Sequence, residues 1–537
     1  MSVGDLISNA IRAGKHISCD SDVNEQTWEQ FEVCAENKQV VLFGASPCAQ
    51  CFFDKYGKSA RVDIVVDNDI KKTKYPLGYF CYTKETVTDE MLNVAEADVL
   101  KKYNPNELIV LIASTNYYIS IMEQLHEMNI DNCFSVLTME ANYRKGFQDQ
   151  ESESEKRKAF AEKCCNYEIE KKKIVFRSFG NYSDHQKYIT EALLKLRKDL
   201  DIVWMVRKFD IAMPEGVRKV YEGNWKQYVY EMETAGMWIL DLEVPPYLSK
   251  RENQIYIQTK HWASVTLKKF YLDAITFESV PERIQNWERE SRIIDYIMVG
   301  SEFDIESCKR GFGFGGPFVM VGSPRTDGVF NEKENKEKVY NEYHIEKSVK
   351  ALLYAPTYRF DKDLGKNYAI ATKLDLDFEL VKKALERRFG GEWHFVLRLH
   401  PSVANAWRKV EMPEYVHDAS SYEDSEELVA ACEIAISDFS SIMFEPAFAK
   451  KKVILLAKDL EDYLKNEYEL LIDYRSLPFP IAETNKELEE IILQFDEEEY
   501  ERCLDEFFDE YGVHEDGHAS ERAAKFVSDV IDGREHE

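Results

Sequence analysis

No stretch of this chain approaches the roughly 20 consecutive apolar residues that a bilayer-spanning helix needs, so no helical span is expected. The opening residues, MSVGDLISNAIRAGKHISCD, lack a long apolar core and a small-residue cleavage site, and they do not read as a secretory signal. Cysteine is sparse and unpatterned: 11 residues, an odd number, scattered over 537 positions. That is no disulfide framework, and it fits reduced thiols in a cytoplasmic protein. Basic charge is also short. Lys and Arg number 69 against 98 Asp and Glu, a formal net charge of −29. Such a surface repels nucleic acid and anionic lipid on average, which excludes whole-surface binding to either and leaves room only for a local basic site. Internal repeats and low-complexity segments are missing as well.

What remains is ordinary globular composition, with 44% hydrophobic and 31% charged residues. At roughly 150 residues per domain, the length predicts three or four domains. The first 35 residues read as helical, with Trp28, Phe31 and Ala35 on one face. KQVVLFGAS (38–46), VDIVVDND (62–69) and ELIVLIAS (107–114) read as buried strands separated by helical spacing, a small βαβ domain. Residues 144–173, charged and without proline, read as a helical connector. Strand-like runs then recur at 174–180, 201–206, 236–242, 254–259, 295–300 and 317–322, and again at 349–359, 394–401, 433–441 and 452–457. The organisation expected is an accessory domain over 1–143, a connector over 144–173, and two further Rossmann-like domains over 174–345 and 346–537. The stretch 481–516 holds 15 acidic and 2 basic residues at helix-compatible spacing, a solvated helical face.

In open parallel sheets, ligands bind beyond the carboxyl ends of the strands. Five strand ends here present phosphate-holding or proton-moving groups: Lys260, His261 and Lys268; Arg398 and His400; Ser440 and Ser441; Thr357 and Arg359; and Arg325. SDFSSIMFEPAFAKKKVILL is the most specific of these segments. Two serines follow a strand and open an apolar helix, which makes either an anion site or a plain N-cap at Ser440. Arg325 in PRTD either faces a phosphate or pairs with Asp327 across a turn. Lys268 and Lys269 read equally as ligands or as a solvated face. Asp438 and Glu445, seven residues apart without a histidine, are a poor metal pair, and no metal is expected.

ALLYAPTYR, VLRLHP, SDFSSIMFEPAFAKKKVILL, GSPRTD and DGHASER together resemble the CDP-glycerol glycerophosphotransferase family, whose members include teichoic acid primases and polymerases. The resemblance spans roughly residues 174–530. It implies a GT-B-like pair of Rossmann-like domains, the first on the acceptor side and the second on the donor side. It also implies a CDP-polyol donor, CDP-glycerol or CDP-ribitol, with no cofactor required. The implied acceptor is a teichoic acid or another surface polysaccharide, lipid-linked, so that the enzyme works at the inner membrane face. His261 and Lys268 match the family's Trp-His-Gly-Thr-Pro-Leu-Lys run, although QTKHWASVTLKKF has Trp262 in place of glycine and a longer spacing. His400 in RLHP matches a second family histidine, Ser440 and Ser441 the donor-phosphate serines, and Arg359 and Arg325 arginines near the phosphates. These imply His261 as general base and His400 at the leaving phosphate, with Lys268, Thr357 and Arg398 completing the substrate contacts. The same donor site would suit a GT-B nucleotide-sugar glycosyltransferase. The altered His261 run would also suit a non-catalytic scaffold in polysaccharide assembly.

The first domain carries GASPCA (44–49), a degraded dinucleotide fingerprint with Ser46 at the second glycine, and Asp67 near the place of a ribose-binding acid. A side chain at 46 crowds a pyrophosphate, so docking of a partner is the expectation ahead of NAD. Cys48 and Cys51 form a CxxC without a second pair at zinc spacing, which reads as packing rather than metal.

Overall fold

Short apolar runs that end in Gly, Ser, Asp or Pro become parallel strands in this computed structural model, which describes residues 26–82, 92–145, 153–275, 281–357, 376–399, 412–466 and 469–534. The chain divides into two units. The first comprises Met1–Glu170, Val203–Ala235 and Tyr247–Arg251, and the second Lys171–Ile202, Gly236–Pro246 and Glu252–Glu537.

In the first unit, β1 (Gln39–Phe43), β2 (Ile64–Asp67), β3 (Val94–Glu96), β4 (Leu108–Ile112) and β5 (Cys133–Ser135) form a parallel sheet of order β3-β2-β1-β4-β5. Its central strands are apolar at nearly every position because both faces are covered. Val40 and Leu42 pack with Trp28, Phe31 and Phe52, while Val41 and Phe43 pack with Ile121, Met122 and Leu125. The strand order reverses between β1 and β4, where a ligand crevice is expected. The protein fills that place itself. Gly44 is left-handed (φ 111°), and a Cβ there would lie 2.6 Å from the Ala113 carbonyl oxygen. Ser46 Oγ donates to that same oxygen at 2.7 Å. Asp67 Oδ2 accepts from Ala45 N at 2.8 Å and from Lys72 Nζ at 3.0 Å, so the acid expected near a ribose is committed internally. Cys48 and Cys51 are half-buried and packed against Leu137 and Ala141.

The unit boundaries fall at the start of β6 (Glu170–Arg177) and within β7 (Asp201–Val206); β8 (Val217–Tyr221) belongs to the first unit. There Lys219 Nζ donates to Tyr75 Oη at 2.9 Å and to the Ile211 carbonyl at 2.6 Å. In the second unit, β9 (Ala235–Leu240), β10 (Ile255–Gln258), β11 (Tyr296–Val299) and β12 (Phe318–Met320) continue a sheet of order β12-β11-β10-β9-β6. A further sheet, β15-β14-β13-β16-β17-β18, is built from β13 (Lys350–Ala355), β14 (Trp393–Leu397), β15 (Val416–Asp418), β16 (Ile434–Ser437), β17 (Lys452–Leu456) and β18 (Ile481–Ala482). The architecture is α/β with parallel sheets throughout.

Strand β6 starts four residues before the 174–180 run, inside the charged stretch that reads as a helical connector. Its first three residues are exposed and the next four buried, so most of the charge at the strand entrance stays at the surface, where Lys172 Nζ pairs with Asp199 at 2.6 Å. The helix expected there is present, but shorter, at Glu153–Cys164. Two motifs distant in sequence also meet. Asp327 of the PRTD turn accepts from Ala519 N (3.0 Å) and Ser520 N (2.7 Å), capping the helix Ala519–Ile531 that follows DGH. The alternative pairing of Asp327 with Arg325 therefore gives way to a helix cap.

Candidate functional site

The segment after β10 leaves the second sheet and ends in the core of the third. Ala263, Val265 and Leu267 alternate into the same buried cluster as Leu352, Ile436 and Ile454. Backbone bonds from Lys269 N to the Glu469 carbonyl (3.1 Å) and from Leu471 N to the Leu267 carbonyl (2.8 Å) secure its far end. His261 therefore sits at the root of a strap whose two ends are fixed on different sheets.

The root itself is tightly held. Lys260 is left-handed (φ 55°), a conformation that costs a non-glycine residue on the order of 1 kcal/mol and persists only when its surroundings enforce it. Its buried Nζ pairs with Asp304 at 2.9 Å and donates to the carbonyls of Trp262 (3.2 Å) and Ala263 (3.3 Å). Trp262 fills the place of the family glycine as a buried ring, its Nε1 donating to Asp304 at 3.3 Å. His185 Nε2 donates to the Trp262 carbonyl at 2.9 Å, and its Nδ1 accepts from Arg325 N at 3.4 Å. His185 is thus a neutral Nε2–H tautomer, and burial, with Lys260 and Arg325 nearby, holds its pKa well below the usual histidine value. Arg325 Nη1 donates to the His261 carbonyl at 3.0 Å.

Onto this frame the His261 imidazole projects to solvent, stacked on Phe179 (6.2 Å between centroids) and edge-on to Trp262 (5.0 Å). The ring is accessible but recessed among protein groups. That desolvation, followed by the Arg325 and Lys260 charges, pushes its pKa down to about 4. It is therefore neutral, and able to accept a proton, at any ordinary pH.

On the third sheet, Ser440 is the cap of the short turn Ser441–Met443, accepting from Ile442 N at 3.5 Å. Ser441 Oγ reaches the strap, accepting from Leu267 N at 3.1 Å and lying 3.3 Å from Thr266 Oγ1. Thr357 donates through N (2.7 Å) and Oγ1 to Asp438 Oδ1. Arg398 Nη1 donates to the carbonyls of Tyr422 (2.6 Å) and Ala419 (3.4 Å). Its Nε and Nη2 have no hydrogen-bond partner among the described residues, which leaves half of the guanidinium for a ligand. Lys268 lies half-buried, its Nζ 5.5 Å from the centre of the Tyr463 ring. His400 and Arg359 lie outside the described residues.

Arg325 departs from its expected place at a phosphate. It is buried, its Nε donating to Glu426 (2.7 Å), Nη1 to Asp184 (3.0 Å) and Nη2 to Ser425 (3.3 Å), with Glu445 at 3.1 Å from Nη2. Three carboxylates already satisfy the fork, so no free face is left for a donor. Burial raises the pKa of Asp184, Glu426 and Glu445, against the pull of Arg325. Asp438 and Glu445 have separate partners, Thr357 and Arg325, and do not converge on a shared ligand position.

Residues that sequence reasoning passed over complete the site: Asp184, His185, Asp304 and Glu426; Lys260, expected among the phosphate-holding groups, is instead buried against Asp304. The one visible signal was SDHQ at 183–186, a cap-like Ser-Asp ahead of a helix (Asp184–Leu196) with a histidine in its first turn.

Comparison with known proteins places the chain in a family. The family described as CDP-Glycerol:Poly(glycerophosphate) glycerophosphotransferase matches residues 159–529. A teichoic acid poly(glycerol phosphate) polymerase of Staphylococcus epidermidis is 28% identical over 377 residues, 68% of this chain and 51% of that protein. The chain thus spans about half the length of that relative. A teichoic acid glycerol-phosphate transferase of Staphylococcus aureus is 27% identical over 369 residues, covering 66% of this chain and 92% of the relative. Among solved structures, the wall teichoic acid polymerase TagF superposes with a TM-score of 0.63 at 26% identity, over 71% of this chain and 94% of that one.

Proposed function

Because the chain belongs to the CDP-glycerol:poly(glycerophosphate) glycerophosphotransferase family, we propose that it transfers a polyol phosphate from a CDP-polyol to a hydroxyl of a teichoic acid or another surface polysaccharide. Glycerol phosphate is the leading group. The acceptor oxygen attacks the polyol-bearing phosphorus, the P–O bond to CMP breaks, and the acceptor proton passes to His261. CMP leaves with the bonding electrons. Such a reaction depends on alignment and charge compensation more than on covalent help from the protein.

The observation that carries this reading is the strap. A neutral, solvent-facing His261 and the Ser440–Ser441 turn are joined through one short segment by the bond from Leu267 N to Ser441 Oγ. A base and an anion-binding turn so linked keep a fixed separation, as in-line transfer requires. The Arg398 Nε and Nη2, without a partner among the described residues, supply positive charge for the pyrophosphate.

The test is CMP release from purified protein given CDP-glycerol, with CDP-ribitol and nucleotide sugars in parallel, and with the donor phosphorus labelled. Label in the polymer together with free CMP is the expected result. Nucleoside diphosphate release from a nucleotide sugar, with no label transferred, would replace this reading by glycosyl transfer.

A further inference from the structure

We infer that Arg325 is a positioning residue, which holds the His261 backbone in place only while carboxylates of the third sheet hold its other end. The inference rests on the transfer proposed above, but its geometry stands apart from the identity of the donor.

One end of the guanidinium acts on the base-bearing segment. Nη1 donates to the His261 carbonyl and to Asp184 at the start of the helix Asp184–Leu196. The remaining nitrogens reach residues that follow β15 and β16: Glu426, Ser425 and Glu445. A guanidinium is planar and rigid, so its two ends cannot be satisfied independently. Displacement of Glu426 and Glu445 would rotate the fork and release the His261 carbonyl. The turn bearing Arg325 also holds the next carbonyl through His185, which bridges Arg325 N and the Trp262 carbonyl. That turn is itself fixed by Thr326 Oγ1 donating to the Ser323 carbonyl at 2.7 Å.

The buried environment argues against a purely structural ion cluster. The cluster is reached from Nε, Nη1 and Nη2 separately, so it uses the planar fork and not the charge alone. Contact with the His261 carbonyl needs the fork. Among the described residues, the charges acting on the His261 ring are Arg325 and Lys260, with Asp184 paired to Arg325 Nη1 and neutral His185 behind them. Loss of the Arg325 charge therefore makes the ring easier to protonate, whereas a simple loss of stability leaves its titration where it was.

Two variants decide the matter in the full chain. In the unliganded protein, the His261 ring is followed by NMR with isotope-labelled histidine and assigned by its loss in His261→Asn. In Arg325→Gln the midpoint is expected to rise from about 4 by about one pH unit or more. Arg325→Lys keeps the charge and the midpoint, yet its kcat with CDP-glycerol is expected to fall roughly 10–100-fold at nearly constant KM. A folded Arg325→Gln protein with an unmoved midpoint, or a folded Arg325→Lys protein with wild-type kcat, would overturn the inference. Should Arg325→Gln not fold, the lysine variant decides alone. Should the wild type turn over no CDP-polyol, the transfer reading falls and the titration still decides the positioning.

Discussion

At His261 a ring open to solvent stands in front of two cations, Arg325 and buried Lys260, and that pairing fixes when it can work. An ordinary histidine base loses activity below about pH 6.5 as it protonates. With a pKa of about 4, His261 stays a competent acceptor well into acid, so kcat/KM should hold from neutrality down to about pH 5. A pH-rate profile with an acid limb near 6.5 would contradict this. Replacement of His261 by Gln removes the base from an exposed position and should cost roughly 100- to 10,000-fold in kcat with little change in Tm. Arg398 makes a complementary case. Its Nε and Nη2, without a partner among the described residues, suit a donor phosphate, so Arg398→Ala should raise the donor KM by roughly 10- to 100-fold, in line with about 1.5–3 kcal/mol for a charged hydrogen bond. A change confined to kcat would move Arg398 away from the ground-state donor. His261 was legible in the sequence because it follows a strand and sits in a motif. Lys260 was visible at the same strand end but not in its role: it reads there as a phosphate-holding group, and only the fold buries it against Asp304.

Elements were legible in proportion to how deeply they are buried. β1, β4, β9 and β16 are apolar at nearly every position because helices cover both faces, and each stood out as a run. β3, β15 and β18, of two or three residues, lie at or near sheet edges with exposed or half-buried positions, too short and too polar to announce a strand. The strap was seen only as a motif. Its alternation at 263, 265 and 267 matches a strand, but its burial comes from the third sheet rather than from a ladder. Leu267→Ala should therefore behave as a core truncation, costing about 2–5 kcal/mol by denaturant unfolding. The helix Pro281–Ile293 offers a pH test. Its buried Glu290 accepts from Tyr256 Oη (2.5 Å) and Val244 N (3.1 Å), and burial raises its pKa to about 7. A carboxyl whose folded pKa lies above its unfolded one contributes stability in full below about pH 4.5, and loses it as pH rises through 7. Glu290→Gln keeps an oxygen for both donors and cannot ionise, so its Tm should fall less between pH 5 and pH 8 than that of the wild type. Equal falls would place the titration elsewhere.

In the whole molecule, the second unit joins its two sheets through ions as well as through the strap. Lys187 on the helix Asp184–Leu196 pairs with Asp424 (2.5 Å) and Glu427 (2.8 Å), and Tyr188 Oη donates to Asp424 at 3.0 Å. Asn181 adds N and Nδ2 bonds to Glu423 at 3.0 and 2.8 Å. None of this was legible in YEDSEE (422–427), whose spacing carries no motif that singles out a partner. Burial made the difference: Asp424 is raised to about 6 by desolvation and then by Glu426, with Lys187 pulling the other way. An exposed pair of this kind would contribute at most about 1 kcal/mol and weaken in salt. A buried one, stripped of its cation, leaves charges with no compensation and costs about 3–5 kcal/mol. Lys187→Met should therefore be strongly destabilised at pH 8. Removal of the cation also lifts Asp424 further, so the carboxyl protonates as pH falls through 6 and the deficit shrinks. Urea unfolding of Lys187→Met and wild type at pH 8 and at pH 5 should thus show a large gap that narrows in acid and responds little to added salt. A small gap, independent of pH and erased by salt, would mean that these ions are solvated and add little to the join between the two sheets.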